Sequence, residues 1–597
     1  MGLIATIKRE LHYLDGMRRM LGSVREVDAE SNYLIADNIE QWVDKFGRNI
    51  AFIDDESHWT FDEFDAYANR VARWGLAQDL KPGDTVAVFV QNRLEYVALW
   101  FGLSKIGVVP ALLNYQLTGP ALAHCVNLSD AKYLIMDHEL SGAWNTAKSN
   151  VEGAITVLSA FGDTRGFDSF DAALSDIPPH RPDRSRRDRI KAGEQCMKMF
   201  TSGTTGLPKA AKVTHVRAQN YMRGFGAAAK SGAQDRMIMV LPLYHATGGL
   251  CGVGAAISRG GSVIVRRKFS AGSFWDDAVH FRATMFMYVG ELCRFLLSAP
   301  AHPKEREHNI RWIIGNGLRP EVWPGFVQRF NIPHVIEFYG ATEGNASLVN
   351  VDGPVGAVGR VPDYLKHRFN IDIIRYDVET NVNVRGLDGF CIRADFLEVG
   401  ELIGEIRTDD ARFRFDGYET KEATQNKILR DVFSKGDAWF RTGDLMKRDR
   451  LGYYYFMDRV GDTFRWMAEN VATGEVAAVL SAFPGVTQAN VYGVRVPGHD
   501  GRAGMASLVS EDEPDLVRLR DHLKAALPDY ARPVFLRLSR ETETTSTFKF
   551  KKINLVNAGY DPSKCAEPVY VMDSRKGEYI RIDRELFNRI DSGNYRL

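Results

Sequence analysis

The sequence predicts an α/β protein: a large N-terminal domain of layered βαβ units, followed by a smaller α+β domain. Three observations carry that expectation. Short β-branched runs of strand length alternate with helix-length segments from residue 59 to residue 339, the signature of parallel βαβ units. Several of those runs end in glycine-bearing turns: Thr201-Ser202-Gly203-Thr204-Thr205-Gly206, Gly315-Asn316-Gly317 and Gly340-Ala341-Thr342-Glu343-Gly344. Beyond Asp352 the runs shorten and turns multiply, and a new strand–helix unit begins after Arg459-Val460-Gly461.

In chain order, Leu3, Ile4, Ile7, Leu11, Leu14 and Met17 recur at helical spacing, with Lys8, Arg9, Arg18 and Arg19 among them. Such an amphipathic helix suits an anionic membrane surface or packing on the protein's own body, and both readings stay open. Met1-Gly2 with Thr6 matches the myristoylation pattern, which matters only in a eukaryotic host. Thr60, with Glu63 three residues on, is placed to cap a helix. Pro82-Gly83-Asp84 is a turn. A strand over 86–90, a helix over 94–105 and strands over 108–112 and 133–136 follow. The polar segment 162–195, with Pro178, Pro179 and Pro182, connects to a strand over 196–200. Strands are then expected over 237–242, 262–266, 283–289, 311–314 and 335–339, with helices over 274–281 and 292–297. The last unit carries helices over 473–482 and 515–527 and a strand over 489–494. Ligands of open α/β sheets collect beyond the carboxyl ends of strands, so the glycine-bearing ends are the expected wall of one site.

Composition narrows the function. Lys plus Arg and Asp plus Glu both number 76, so net charge gives no pointer to nucleic acid. The 6 cysteines lie far apart with no CxxC pair, which argues against a zinc site or disulfide framework and for a reducing compartment. No apolar run is long enough to span a bilayer as a helix, and the charged N-terminus is not a secretory signal. The expected location is the cytoplasm, with peripheral attachment to the inner face of the cell membrane as the option the N-terminal helix offers.

The chemistry-bearing stretch is Thr201-Ser202-Gly203-Thr204-Thr205-Gly206-Leu207-Pro208-Lys209. Glycines let backbone N–H groups approach a ligand closely, hydroxyls add short donors, and Lys209 adds a cation, a combination that holds phosphate oxygens. The common P-loop needs Ser or Thr directly after its lysine; here Ala210 follows. In Tyr339-Gly340-Ala341-Thr342-Glu343, an aromatic face able to stack a purine stands close to a hydroxyl and a magnesium-binding carboxylate. Taken alone, that segment reads equally as a strand end with a helix cap. Arg441-Thr442-Gly443-Asp444 reads equally as a turn, and His245 as a structural histidine.

Together these segments resemble the adenylate-forming superfamily of acyl-CoA synthetases, peptide-synthetase adenylation domains and luciferases. Further segments narrow the resemblance to the fatty acid transport protein and very-long-chain acyl-CoA synthetase branch: Phe415-Asp416-Gly417-Tyr418, Val432-Phe433-Ser434-Lys435-Gly436-Asp437, Gly461-Asp462-Thr463-Phe464-Arg465-Trp466, Tyr530-Ala531-Arg532-Pro533 and Gly559-Tyr560-Asp561-Pro562. The resemblance runs from about Asp55 to the C-terminus. It implies an acyl-CoA synthetase-like fold: layered sheets with a β-subdomain over 55–459, and a mobile domain over 460–597, after a lead-in over 1–54. It implies that Thr201, Ser202, Gly203, Thr204, Thr205, Gly206 and Lys209 hold ATP phosphates. Gly317, Tyr339, Gly340 and Ala341 lie at adenine, Thr342 and Glu343 act at the phosphates with Glu343 on magnesium, and Asp444 and Arg459 meet the ribose. His245 borders the acyl pocket. Lys549, within Thr547-Phe548-Lys549, is the lysine that bridges carboxylate and α-phosphate.

The implied activity is that of an AMP-forming fatty acid–CoA ligase. It uses ATP, Mg2+, coenzyme A and a long- or very-long-chain fatty acid, with possible coupling to fatty-acid uptake. Two departures stand out. The branch has Lys-Gly-Glu-Asn after Trp466, where this chain has Met467-Ala468-Glu469-Asn470; it also has glycine where this chain has Ser546. A Cβ at position 468 narrows the passage that the resemblance assigns to pantetheine. Two alternatives therefore stay beside the ligase: an acyl-AMP ligase that passes the acyl group to a carrier protein, and a fatty-acid uptake or binding protein with impaired catalysis.

Overall fold

The computed structural model describes residues 3–24, 27–201, 207–351, 353–378, 380–408, 410–467, 469–499, 501–510, 512–539 and 552–595. The chain divides into two compact units, residues 1–360 with 404–429, and residues 361–403 with 430–597.

The first unit holds two large sheets. One is ordered Asp168–Ser169, Thr156–Ala160, Ala131–Asp137, Thr85–Phe89, Val109–Leu112, Gln195–Thr201 and Lys209–Thr214. All its pairs are parallel except the last. The central strand Thr85–Phe89 is buried along its whole length, as a strand covered on both faces must be. The other sheet is ordered Leu348–Asn350, His334–Tyr339, Trp312–Asn316, Met285–Val289, Arg236–Met239, Ser262–Val265, Ile50–Ile53 and His58–Thr60, with antiparallel pairs only at its two edges. The expected βαβ alternation is thus present in both sheets. Thr60 and Glu63 form the expected reciprocal cap on the helix Phe61–Ala77.

Two local readings change. The strand expected over 237–242 ends at Met239, because Pro242 cannot donate to a ladder and a wide helical turn, Ala246–Gly252, follows. The strand Lys209–Thr214 was not anticipated; its half-buried lysines break the apolar run. Met285, Phe286, Met287 and Tyr288 are fully buried in the sheet.

The N-terminal helix, Leu3–Val24, packs on the first unit along one face. Tyr13 and Met17 are buried, and the Tyr13 hydroxyl donates to the Arg360 carbonyl at 2.9 Å. Arg19 Nε donates to the Ala227 carbonyl at 3.2 Å. The opposite face leaves Ile7, Leu11 and Leu14 in solvent. Body packing and an outward apolar face therefore coexist on one helix.

The second unit is built on a five-stranded sheet, ordered Val486–Val494, Ala503–Ser510, Phe535–Ser539, Val569–Asp573 and Glu578–Arg581. Its core includes Leu480, Val491, Met505, Leu508, Phe535 and Val571. The helix expected over 515–527 runs Leu516–Ala526, with Asp515 as its cap. All cysteines are free; five are buried and Cys565 is half-buried. Burial pushes the Cys125 thiol up to about 12. No helix among the described residues is long and apolar enough to cross a membrane.

Candidate active site

The glycine- and hydroxyl-rich run is the connection of a hairpin. Gln195–Thr201 pairs antiparallel with Lys209–Thr214, and Thr201 stands opposite Lys209. Both ends of the run are therefore pinned to neighbouring strands. Ser202, Gly203, Thr204, Thr205 and Gly206 lie outside the described residues.

Lys209 and Glu343 meet through a residue that sequence reasoning quoted but gave no role. The Tyr418 hydroxyl donates to Glu343 Oε1 at 2.6 Å, and Lys209 Nζ lies 5.6 Å from the centre of the Tyr418 ring. Burial, reinforced by the adjacent Glu343 carboxylate, pushes the Tyr418 hydroxyl far up, so it remains a donor at physiological pH. The Phe415-Asp416-Gly417-Tyr418 segment reaches this position by docking on the second hairpin strand. Lys212 N–H donates to the Gly417 carbonyl at 3.1 Å, and Glu419 N–H to the Ala210 carbonyl at 3.0 Å.

The helix His215–Ala228, which leaves the hairpin, grips the loop that carries Thr342 and Glu343. The buried Arg217 guanidinium donates to the Thr342 carbonyl at 3.3 Å, to the Gly344 carbonyl, and to Asp416 Oδ2 at 3.2 Å. The Tyr221 hydroxyl donates to the Ala341 carbonyl at 3.3 Å. The hairpin, the loop 341–344 and the segment 414–418 are thus fastened together by one arginine and two tyrosines. Only the helical spacing of Arg217 and Tyr221 could have marked them, and it does not distinguish them from surface polar residues.

Gly317 sits at a strand end in the left-handed region, with φ +77. It also faces a tight backbone contact: a Cβ on Gly290 would stand 1.7 Å from the Gly317 carbonyl oxygen, so only glycine fits at 290. The loop is held from below by Glu337, which is 1% exposed. Glu337 Oε1 accepts from Gly317 N–H at 2.5 Å and Leu318 N–H at 3.2 Å, and Oε2 accepts from the Tyr288 hydroxyl. Burial raises this carboxyl to about 8, against the pull of those donors. Glu337 was not anticipated, since one acid in an apolar strand reads as ordinary alternation. Tyr339 ends the same strand, half-buried, opposite Leu348. A Cβ on Gly340 would have no neighbour nearer than Ser347 Oγ at 3.7 Å. His245 starts the wide turn, accepting Gly249 N–H on its carbonyl at 2.7 Å, and its ring lies 4.7 Å from that of Tyr244.

In the second unit, Asp444 and Arg459 face each other across the antiparallel pair Ala438–Arg448 and Tyr453–Arg459, with Arg459 Nε 3.8 Å from Asp444 Oδ1. Asp458, beside them, is buried. It accepts Arg459 N–H at 2.9 Å, Thr473 N–H at 2.7 Å and the Thr463 hydroxyl at 3.1 Å. Lys552 Nζ donates to Asp462 Oδ2 and Thr473 Oγ1, both at 3.0 Å. In the hairpin Phe464–Trp466 and Glu469–Val471, Trp466 pairs with Glu469, leaving a two-residue loop in which Met467 has φ +52. Ala468, Ser546 and Lys549 lie outside the described residues.

Magnesium fits Glu343 chemically. One oxygen of this carboxylate is engaged by Tyr418, and magnesium characteristically takes one or two carboxylates and completes its shell with phosphate oxygens and water.

The chain matches the model of the AMP-binding enzyme family over residues 39–371, and that of the AMP-binding enzyme C-terminal domain over residues 475–549. It is 41% identical to long-chain fatty acid transport protein 1 of Mus musculus over 561 residues, covering 92% of this chain and 86% of that one. Among solved structures, the anthranilate CoA ligase AuaEII with anthranoyl-AMP superposes with a TM-score of 0.74 at 19% identity, covering 90% of this chain and 98% of that one. ATP-bound MatB from Rhodopseudomonas palustris superposes with a TM-score of 0.72 at 22% identity, covering 89% and 100%. These structures share the fold of a large N-terminal and a small C-terminal domain. With the sequence match spanning most of its length, the chain belongs to the AMP-binding enzyme family, among the relatives of the long-chain fatty acid transport proteins.

Proposed function

We propose that this protein is an AMP-forming fatty acid–CoA ligase that activates long- or very-long-chain fatty acids, coupled to their uptake. The observation that carries this reading is the junction of Lys209 and Glu343 on Tyr418, in a chain 41% identical to a long-chain fatty acid transport protein. The working division is residues 55–459 for adenylation and 460–597 for the mobile domain.

In the first step a fatty carboxylate oxygen bonds to the α-phosphorus of ATP, the bond to the β-phosphate oxygen breaks, and acyl-adenylate and pyrophosphate form. The carboxylic acid has a pKa near ~4, by analogy with Asp and Glu, so it is already ionised and needs no general base. Residues 201–206 and Lys209 hold the phosphates, and Tyr339 and the 315–317 loop flank adenine. Asp444 and Arg459 hold the ribose, and Lys549 steadies the reacting oxygens. Glu343 would hold magnesium, which would supply charge neutralisation at the phosphates. In the second step the thiol sulfur of coenzyme A, losing its proton, bonds to the acyl carbon, and AMP leaves. The outward face of the N-terminal helix supports peripheral placement on a membrane.

The test is incubation with ATP, magnesium and a panel of fatty acids, with and without coenzyme A, with mass analysis of adenylate and thioester. Lys549→Ala is expected to abolish ATP–pyrophosphate exchange while ATP still binds; normal exchange would remove Lys549 from the mechanism. Met467 and Ala468, standing where the resembled branch has Lys-Gly, are the support for the acyl-AMP ligase reading. On the ligase reading Ala468→Gly speeds thioester formation with exchange unchanged, and equal thioester rates would make that departure neutral.

A further inference from the structure

A cleft of about 640 Å³ opens in the first unit between the C-terminal half of the N-terminal helix and the segments around 223–231 and 258–259. Five cations line it: Arg18, Arg19, Arg223, Lys230 and Arg259. Among the described residues, the one carboxylate paired with any of them is Asp15, which meets Arg18 at 3.4 Å, Lys230 at 3.8 Å, and Arg19. Arg223 leans on a neutral partner, donating through Nε to Asn38 Oδ1 at 2.9 Å. Arg259 is exposed and has no ion pair among the described residues. The Ser258 hydroxyl is buried without a hydrogen-bond partner. A Cβ on Gly226 would stand 2.9 Å from the Ala255 carbonyl oxygen, 3.0 Å from Ser231 Oγ and 3.1 Å from Ser258 Oγ, so glycine lets these groups pack closely at the base of the cleft.

Such a surplus of cations matches a doubly charged phosphate: guanidinium groups bind its oxygens in pairs, and the lysine acts as a point charge. The surrounding surface decides between a soluble phosphate and a lipid. Ile7, Leu11 and Leu14 are 49%, 62% and 42% exposed, and the Arg18 side chain is 81% exposed. Positions 7, 11, 14 and 18 lie on one helical face, so the apolar ridge runs into the mouth of the cationic cleft. An amphipathic helix lying in a bilayer interface presents its apolar side chains at acyl depth and its cations at phosphate depth.

We infer that this cleft receives the phosphate headgroup of an anionic phospholipid while Ile7, Leu11 and Leu14 lie in the interface. The inference rests on the peripheral placement proposed above and gives it a headgroup specificity. It concerns a face formed by the N-terminal helix and involves none of the residues assigned to ATP.

The experiment is co-sedimentation of the full chain with vesicles of phosphatidylcholine alone and of phosphatidylcholine doped with phosphatidic acid. Native protein is expected on the doped vesicles and not on the neutral ones. The double variant Arg18→Gln/Arg259→Gln alters two exposed side chains, and a thermal melt checks its fold. It is expected to bind roughly 30-fold more weakly, from the loss of two surface cations near an anionic membrane. Leu11→Glu is expected to release the protein as well. Unchanged binding by the double variant overturns the headgroup site. Stabilisation by inorganic phosphate alone, with no vesicle binding, overturns the lipid assignment. Equal binding to both vesicle types, lost in Leu11→Glu, leaves the peripheral placement standing and removes the headgroup site; binding to neither removes both.

Discussion

Two buried carboxylates, Glu337 in the first unit and Asp458 in the second, do the same job in different surroundings. Each receives backbone N–H groups next to a residue assigned to the nucleotide: Glu337 under Gly317, Asp458 under Arg459. The hydrogen-bond partners of Glu337 are neutral, a phenol and two amides, and burial raises it to about 8. Asp458 shares Thr473 Oγ1 with the Lys552 ammonium; burial raises it too, while Lys552 pulls the other way. The difference teaches that the Gly317 loop is held by a carboxyl that burial raises to about 8, whereas the Arg459 strand end is held by one with a cation at hand.

The largest test removes each carboxylate. Asp458→Ala strands the Thr473 amide and hydroxyl and the Thr463 hydroxyl, and is expected to cost about 4 kcal/mol in a denaturant titration. Glu337→Ala strands the Gly317 and Leu318 amides and the Tyr288 hydroxyl, at about 3 kcal/mol. A loss below about 1 kcal/mol in either would mean that water replaces the carboxylate and the parallel fails.

The pH dependence separates the two more finely. The unfolded carboxyl of Glu337 titrates near ~4.3, below its folded value, so the unfolded chain releases its proton first. The stabilising contribution is fully present below about pH 4 and is lost as pH rises through about 8, at up to about 1.4 kcal/mol per pH unit. Glu337→Gln should flatten that decline while keeping the shape of the site. A decline that persists in Glu337→Gln would assign it to another group.

The smallest effect concerns glycine. The first unit has glycine at 290, where its backbone presses closest, while the hairpin loop of the second unit has Met467 at φ +52. Met467→Gly is expected to stabilise by about 0.5 kcal/mol, the relief of a left-handed side chain less the entropy glycine adds to the unfolded chain. Destabilisation by this change would show that the methionine side chain contributes more than the strain costs.

The sequence made the βαβ alternation legible because strands such as Thr85–Phe89 are buried on both faces and read as unbroken apolar runs. Thr60 and Glu63 were legible because a reciprocal cap is a local device. The strand Lys209–Thr214 was not, because Lys209 and Lys212 interrupt its apolar pattern. The pairing of Asp444 with Arg459 followed from motifs, but the clasp on Tyr418 depends on a docking between residues 210 and 419, which no local pattern encodes. Arg217, Tyr221 and Glu337 were missed for the same reason: each is defined by a partner more than 15 positions away. Of the two readings of the N-terminal helix, packing on the body describes the face of Tyr13 and Met17, while Ile7, Leu11 and Leu14 stay outward.

With five of its six thiols buried, the protein offers a cysteine-directed dye a single partly open target, Cys565, in the second unit. Burial raises that thiol as well, so slow labelling at mildly alkaline pH favours it without unfolding the chain. A fluorophore placed there needs only one engineered companion in the first unit to make a ruler. The distance between the two bodies, before and after nucleotide is added, then becomes readable in solution.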